Sequence, residues 1–170
     1  RGHKQLHIMT LHGCQRDGLD DHIAFRITPV LNDLEQLSRW RMCSQQQSDS
    51  LPALLHIDTG MTRLGFDADQ IDWLIENKSA LDGLDCRYLM SHLVSAEIAD
   101  DPTNALQLAA FNEWRLCFPG LPASLANSAG SMLSPDYHFQ MTRPGIALYG
   151  ADPADQPTDK LMRVVTWQAR

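Results

Sequence analysis

Apolar runs of strand length alternate with runs of helical period along most of these 170 residues, and few folds accommodate that alternation. LHIMTL (6–11) reads as a first strand and FRITPVL (25–31) contains a second, with Pro29 holding it to an edge or a strand end. NDLEQLSRWRM follows as a helix, with Asn32 as N-cap, Glu35 three residues on, and Leu34 and Leu37 on one face. ALLHID (53–58) is a third strand, after which Asp67 and Gln70 repeat the capping signal for a helix carrying Ile71, Leu74 and Ile75. CRYLMSHL (86–93) is a fourth strand. DPTNALQLAAFNEWRLCF is a helix capped by Asp101, with Pro102 at its first position and FPG at its end. PASLAN (122–127), GIALYG (145–150) and MRVVTWQA (162–169) read as further strands, the last with the clearest in-out alternation, and ADPADQPTDK between the last two is a linker.

Strands that alternate with helices imply a parallel sheet wound by right-handed crossovers, either doubly wound or closed into a barrel. A doubly wound nucleotide binder needs a glycine-rich turn after its first strand, and neither G-x-G-x-x-G nor G-x-x-x-x-G-K-S/T occurs. Polar residues instead sit at the end of strand after strand: Asp58 to Arg63, Ser91 and His92, Asn127 and Ser128, then Arg143. Convergence of several strand ends on one face is the mark of a (β/α)8 TIM-type barrel, which typically takes about 250 residues. With roughly six strands legible, the expected fold class is α/β, a smaller fold or an incomplete barrel.

The net charge of −7 and the lack of a basic stripe argue against a nucleic-acid partner. No apolar stretch of about 18 residues suggests a membrane span, and no leader is readable, so a soluble protein is expected. Cys14, Cys43, Cys86 and Cys117 are scattered without a C-x-x-C pair, as suits a reducing cytoplasmic setting. His12 and Cys14 lack a second ligand pair of zinc-like spacing, so no metal is expected.

DTGMTRLGF (58–66), SHLVSAE (91–97), LANSAGSML (125–133) and MTRPGIALYG (141–150) carry the functional argument. In that order and at about that spacing they closely resemble alanine racemase, the pyridoxal-phosphate enzyme that interconverts L- and D-alanine and supplies D-alanine for peptidoglycan. The resemblance runs through nearly the whole chain, including LHIMTLHG. It implies a cofactor-binding barrel over 1–150, about strands three to eight of the family's barrel, then a linker over 151–160 and the first strand of a C-terminal β-domain over 161–170. It also implies a homodimer in the full-length parent and alanine as the small-molecule partner.

The resemblance assigns the residues their parts. Ser128 brings a hydroxyl and an N–H to the cofactor phosphate, and the turn at Arg143 to Ile146 adds the N–H groups of Gly145 and Ile146, with Gly145 allowing close backbone approach. Arg143 faces the pyridine nitrogen, where most such enzymes place a carboxylate. A permanent cation there disfavours protonation of the ring, which limits delocalisation and stray transamination. His92 hydrogen-bonds this Arg and fixes its plane, and Asn127 belongs to the same pocket. Arg63 reaches the cofactor's phenolic oxygen and the substrate carboxylate, with Asp58 bracing the turn that delivers it.

Several departures accompany the likeness. Many members carry a Lys, which can be carbamylated, two positions before Asp58; here His56 would brace Arg63 when neutral and repel it when protonated, or an anion would intervene. The family's A-V-x-K-A-N-A-Y-G-H-G segment with its Schiff-base lysine has no counterpart, and Lys4, Lys78 and Lys160 stand in other contexts. The second-base Tyr of the family's C-terminal domain is likewise not found. These 170 residues are therefore expected to be an internal piece of an alanine racemase, inactive alone, with open sheet edges. The alternatives are a pyridoxal-phosphate homeostasis protein and a non-catalytic phosphate-binding barrel module.

Overall fold

The computed structural model describes residues 6–155, 161–166 and 168. The chain divides into two compact units: residues up to Asp58 together with Thr62–Met90, and Thr59–Met61 together with residues from Ser91 on.

The first unit is a parallel sheet with its helices in the crossovers. Its strands are β1 (Met9–Thr10), β2 (Thr28–Leu31), β3 (Leu51–His56) and β4 (Leu84–Met90). Met9 stands opposite Thr28, Val30 opposite Leu54, and His56 opposite Met90. All of β2 and the last four residues of β3 are buried, as expected where both sheet faces are covered. Its helices are α1 (Leu19–Ala24), α2 (Leu34–Ser44) and α3 (Ala68–Glu76). Trp40 of α2 is fully buried, and its indole N–H donates to the Pro52 carbonyl at 3.0 Å.

Pro29 lies in a strand with partners on both sides, one place inside its start. The Thr28 N–H donates to Ile8 O, so alternation turns the missing donor of Pro29 toward β3, short of the Val30–Leu54 pair from which β2 and β3 run in register. The cap of α2 is Asp33, not Asn32. The Asp33 carboxylate accepts the Gln36 N–H at 2.7 Å, in the extended conformation a cap requires. Asn32 is instead drawn inward, donating to Val30 O and Leu11 O and accepting from His56 Nδ1 at 2.7 Å. Asp67 caps α3 by accepting the Gln70 N–H, as its spacing predicts.

In the second unit α4 (Pro102–Cys117) has Asp101 as its cap, accepting from the Thr103 N–H, and β5 is short (Ala123–Ser124). GIALYG is not a strand. Ile146–Tyr149 forms a 3-10 turn closed by i+3 bonds, Leu148 N–H to Gly145 O and Gly150 N–H to Ala147 O, and ended by Gly150 at φ +77°. A Cβ at Gly150 would stand 2.1 Å from Met162 O, so only glycine fits. The apolar side chains that suggested a strand are largely exposed: Ile146, Leu148 and Tyr149. Residues 161–166 form no strand either, and the rest of MRVVTWQA, apart from Gln168, lies outside the described residues, as do 156–160 of the linker.

Among the described residues no helix is long and apolar enough to cross a membrane. The cysteines are free, and burial pushes the thiols of Cys14 and Cys86 up to about 11, which keeps them protonated at neutral pH.

The turn after β3 depends on Gly65. Its φ is +111°, and a Cβ there would lie 2.8 Å from the Asp58 backbone nitrogen. Gly65→Ala is expected to cost about 3 kcal/mol, read as a lowered urea midpoint with unchanged slope. An unchanged midpoint would mean that the turn tolerates a side chain.

Candidate functional site

β3 ends at His56, where the chain crosses to Phe66 through paired backbone bonds, Asp58 N–H to Phe66 O and Phe66 N–H to His56 O. The Asp58 carboxylate accepts the Thr62 N–H at 2.9 and 3.1 Å. That bond holds a β-branched residue at φ +55°, a conformation that survives only where the surroundings impose it. Arg63 follows on the exposed side of this turn. His56 is buried, and because Asn32 Oδ1 can only accept, the Nδ1 of His56 carries the proton between them.

Arg143 anchors the second unit. Its Nη2 donates to Ser91 O at 2.6 Å and approaches Leu125 O at 3.3 Å and His92 Nδ1 at 3.4 Å, while Nη1 donates to Ser124 Oγ. The Arg143 N–H donates to Ala126 O, fixing the residue at both ends. Its Nε is buried with no acceptor among the described residues. Burial pulls the guanidinium down to about 10, so it remains a full cation at neutral pH. Arginine Nη2 and the amide Nδ2 of Asn127 both only donate, and they approach the two ring nitrogens of His92 at 3.4 and 3.5 Å, so a neutral imidazole accepts from one of them at a time.

A cleft of about 480 Å³ lies beside this guanidinium, lined by His92, Asn127, Ser128, Arg143, Gly145 and Ile146, together with Glu97, Ala129 and Pro153. Six of the residues marked out by the sequence thus share one cavity, and Arg63 belongs to the other unit. Ser128 Oγ accepts two N–H groups, Gly145 at 2.8 Å and Ala147 at 3.3 Å. With both acceptor positions used, its hydroxyl offers a proton only, so it reads an acceptor such as a phosphate oxygen. The Gly145 N–H is therefore already engaged, contrary to its expected place on a ligand. The Ile146 and Ser128 N–H groups have no protein acceptor among the described residues. A Cβ at Gly145 would meet no heavy atom within 4 Å, so the space before it is open. Asn127 shapes the loop, its Oδ1 accepting the Gly130 N–H at 2.8 Å and its Nδ2 donating to Leu93 O at 3.3 Å.

Apart from the exposed Glu97 carboxylate, the polar groups beside Arg143 are donors: a cation, a hydroxyl that must donate, and N–H groups. Such a cavity takes an anion or a lone pair rather than a metal, and no His, Cys, Asp or Glu cluster able to hold a metal occurs among the described residues. Ser124 is a participant that sequence reading missed. It is a buried hydroxyl that accepts from Arg143 and donates to Met141 O at 2.6 Å, and nothing in PASLAN distinguishes it from a strand residue.

Ser128→Ala removes the acceptor of two amides and is expected to speed exchange of the Gly145 and Ala147 N–H groups roughly tenfold, read by hydrogen–deuterium exchange. Unaltered protection would place their restraint elsewhere.

Comparison with known proteins supplies the family. The alanine racemase N-terminal domain family matches residues 1–153. The alanine racemase of Rickettsia rickettsii is 43% identical over 148 residues, covering 87% of this chain and 42% of that protein, and that of Rickettsia bellii is 41% identical over 149 residues, 88% of this chain and 36% of the relative. The chain thus spans about two fifths of the length of the curated relatives it matches. Among solved structures, the alanine racemase of Bartonella henselae, with covalently bound pyridoxal phosphate, superposes with a TM-score of 0.89 at 33% identity over 94% of this chain and 46% of that one. The match to that structure, together with the parallel sheet, gives a TIM-barrel-type α/β fold. The chain belongs to the alanine racemase N-terminal domain family.

Proposed function

We propose that this chain is the cofactor-holding part of a pyridoxal-phosphate-dependent alanine racemase, and that the cleft beside Arg143 takes pyridoxal phosphate. The observation that carries this reading is the half-buried, multiply bonded Arg143 guanidinium, whose buried Nε has no partner among the described residues, lining the same cavity as Ser128 and Ile146. The residues fit the group chemically: a phosphate needs donors, and an unprotonated pyridine nitrogen needs a donor that will not surrender its proton.

Bound there, the cofactor supplies an electron sink for the carbanion formed when a substrate α-proton leaves. Ser128 donates its hydroxyl proton to the phosphate, and the Ser128 and Ile146 N–H groups join it. Arg143 would donate to the ring nitrogen of the bound group and, as a cation, disfavour its protonation. His92 accepts from Arg143 and limits the tilt of the guanidinium, while Asn127 holds the loop that presents Ser128. Arg63 contributes to binding of the phenolic oxygen and the substrate carboxylate. The whole protein, on this reading, is a homodimeric cytoplasmic isomerase acting on alanine. These residues correspond to the later part, about strands three to eight, of its barrel, with 151–160 as linker and 161–170 opening a β-domain.

Of the lysines, Lys78 is in the first unit, and Lys4 and Lys160 lie outside the described residues. None has the family's sequence context, so the 170 residues alone are proposed not to racemise alanine.

Titration with pyridoxal phosphate, followed by absorbance, is expected to saturate, with Arg143→Leu and Ser128→Ala each weakening affinity roughly tenfold. Wild-type binding that neither substitution alters would remove the cleft from consideration. In the same samples, borohydride reduction is expected to label no lysine and alanine to stay optically unchanged. Sustained racemisation by the isolated chain would overturn its proposed inactivity.

A further inference from the structure

Gln107 is 1% exposed, on a face of α4 that also buries Asn104 and Phe111. A neutral amide in that position is costly unless it is bonded, and here its donors and its oxygen are all used. Its Nε2 donates to His92 O at 2.9 Å and to Thr59 Oγ1 at 3.2 Å, and its Oε1 accepts the Val94 N–H at 2.9 Å. Thr59 Oγ1 lies 2.7 Å from Ser91 Oγ. One side chain thus clamps the backbone on both sides of Leu93 and reaches Ser91 through a shared hydroxyl.

These are the positions that set Arg143. Ser91 contributes the carbonyl nearest the guanidinium and His92 the ring nitrogen beside it. We propose that Gln107 is a positioning residue: by fixing the Ser91–Val94 backbone it fixes the plane in which the Arg143 guanidinium is held. On the proposed cofactor reading, on which its functional meaning rests, that plane directs the donor to the ring nitrogen. An apolar residue at 107 would fill the space but free the His92 carbonyl and the Val94 N–H. A glutamate would keep the bond to Val94 and turn an acceptor on the His92 carbonyl, pushing it away.

The decisive readout is the guanidinium itself. In the 170-residue chain, selectively ¹⁵N-labelled at arginine, hindered rotation is expected to give separate Nη signals for Arg143, assigned by their absence in Arg143→Leu. Gln107→Glu and Gln107→Leu are expected to merge or broaden them and to weaken pyridoxal phosphate binding roughly tenfold. Phe111→Leu, a fully buried neighbour on the same helix, serves as control. It is expected to lower stability while leaving both signals and affinity as in the wild type, which separates positioning from support of the fold. Thr59→Val removes only the hydroxyl that links Gln107 to Ser91 and leaves the Gln107 bonds to His92 O and Val94 N–H in place; it gives a folded alternative should the Gln107 variants not fold, with smaller changes in the same direction. Unmoved Arg143 signals in the folded variants would overturn the proposal whether or not the cofactor binds. Moved signals in a chain that never binds pyridoxal phosphate would uphold the positioning role and refute the cofactor reading.

Discussion

A half-buried guanidinium organises the second unit. Moving an arginine out of water is costly, and Arg143 is stable where it is because the Ser91 and Leu125 carbonyls and the Ser124 hydroxyl accept from it, with the His92 ring beside it. Each hydrogen bond to a charged group contributes about 1.5–3 kcal/mol, enough in combination to hold the cation. The same bonds gather two chain segments, 91–92 and 124–125, around one side chain. The charge that would be a liability in an apolar core thereby sets where the loops after β4 and β5 begin.

That arrangement explains why the cleft presents donors. Ser124 is occupied from both sides, and Ser128 has its oxygen filled by the Gly145 and Ala147 N–H groups. What remains to face a ligand is mostly hydrogen on nitrogen or oxygen. Apart from the exposed Glu97 carboxylate, a lining of this kind favours anions and groups that accept. Gln107 extends the same logic inward, since an amide both donates and accepts and can link a carbonyl, a hydroxyl and an N–H that no single apolar residue could satisfy.

The elements most legible in the sequence were those governed by local rules. Asp67 and Asp101 were readable as caps because capping is settled within three or four residues. The polar residues after ALLHID and CRYLM stood out because strands end where apolar runs end. Reading failed where two local solutions compete. Asn32 and Asp33 are both good caps, and the choice fell to Asp33 because Asn32 found partners in nearby Val30 and in Leu11 and His56, which lie 21 and 24 residues away. GIALYG has the composition of a strand, yet it coils, since Ser128 takes the Gly145 and Ala147 N–H groups and Gly150 turns left-handed against Met162.

Residue order alone thus specified much of the alternation of strand and helix, the starts of α3 and α4, and the family, all of which depend on neighbours in sequence or on motifs that can be matched as text. It named six residues of the cleft but not the bonds among them. The roles of Ser124, Gln107 and Asn32 arose only on folding, because a buried polar group must find its partner in space, and those partners lie 17, 48 and 24 residues away. Periodicity records which face of a helix is apolar, and a Gln on that face carries no mark of what it will meet.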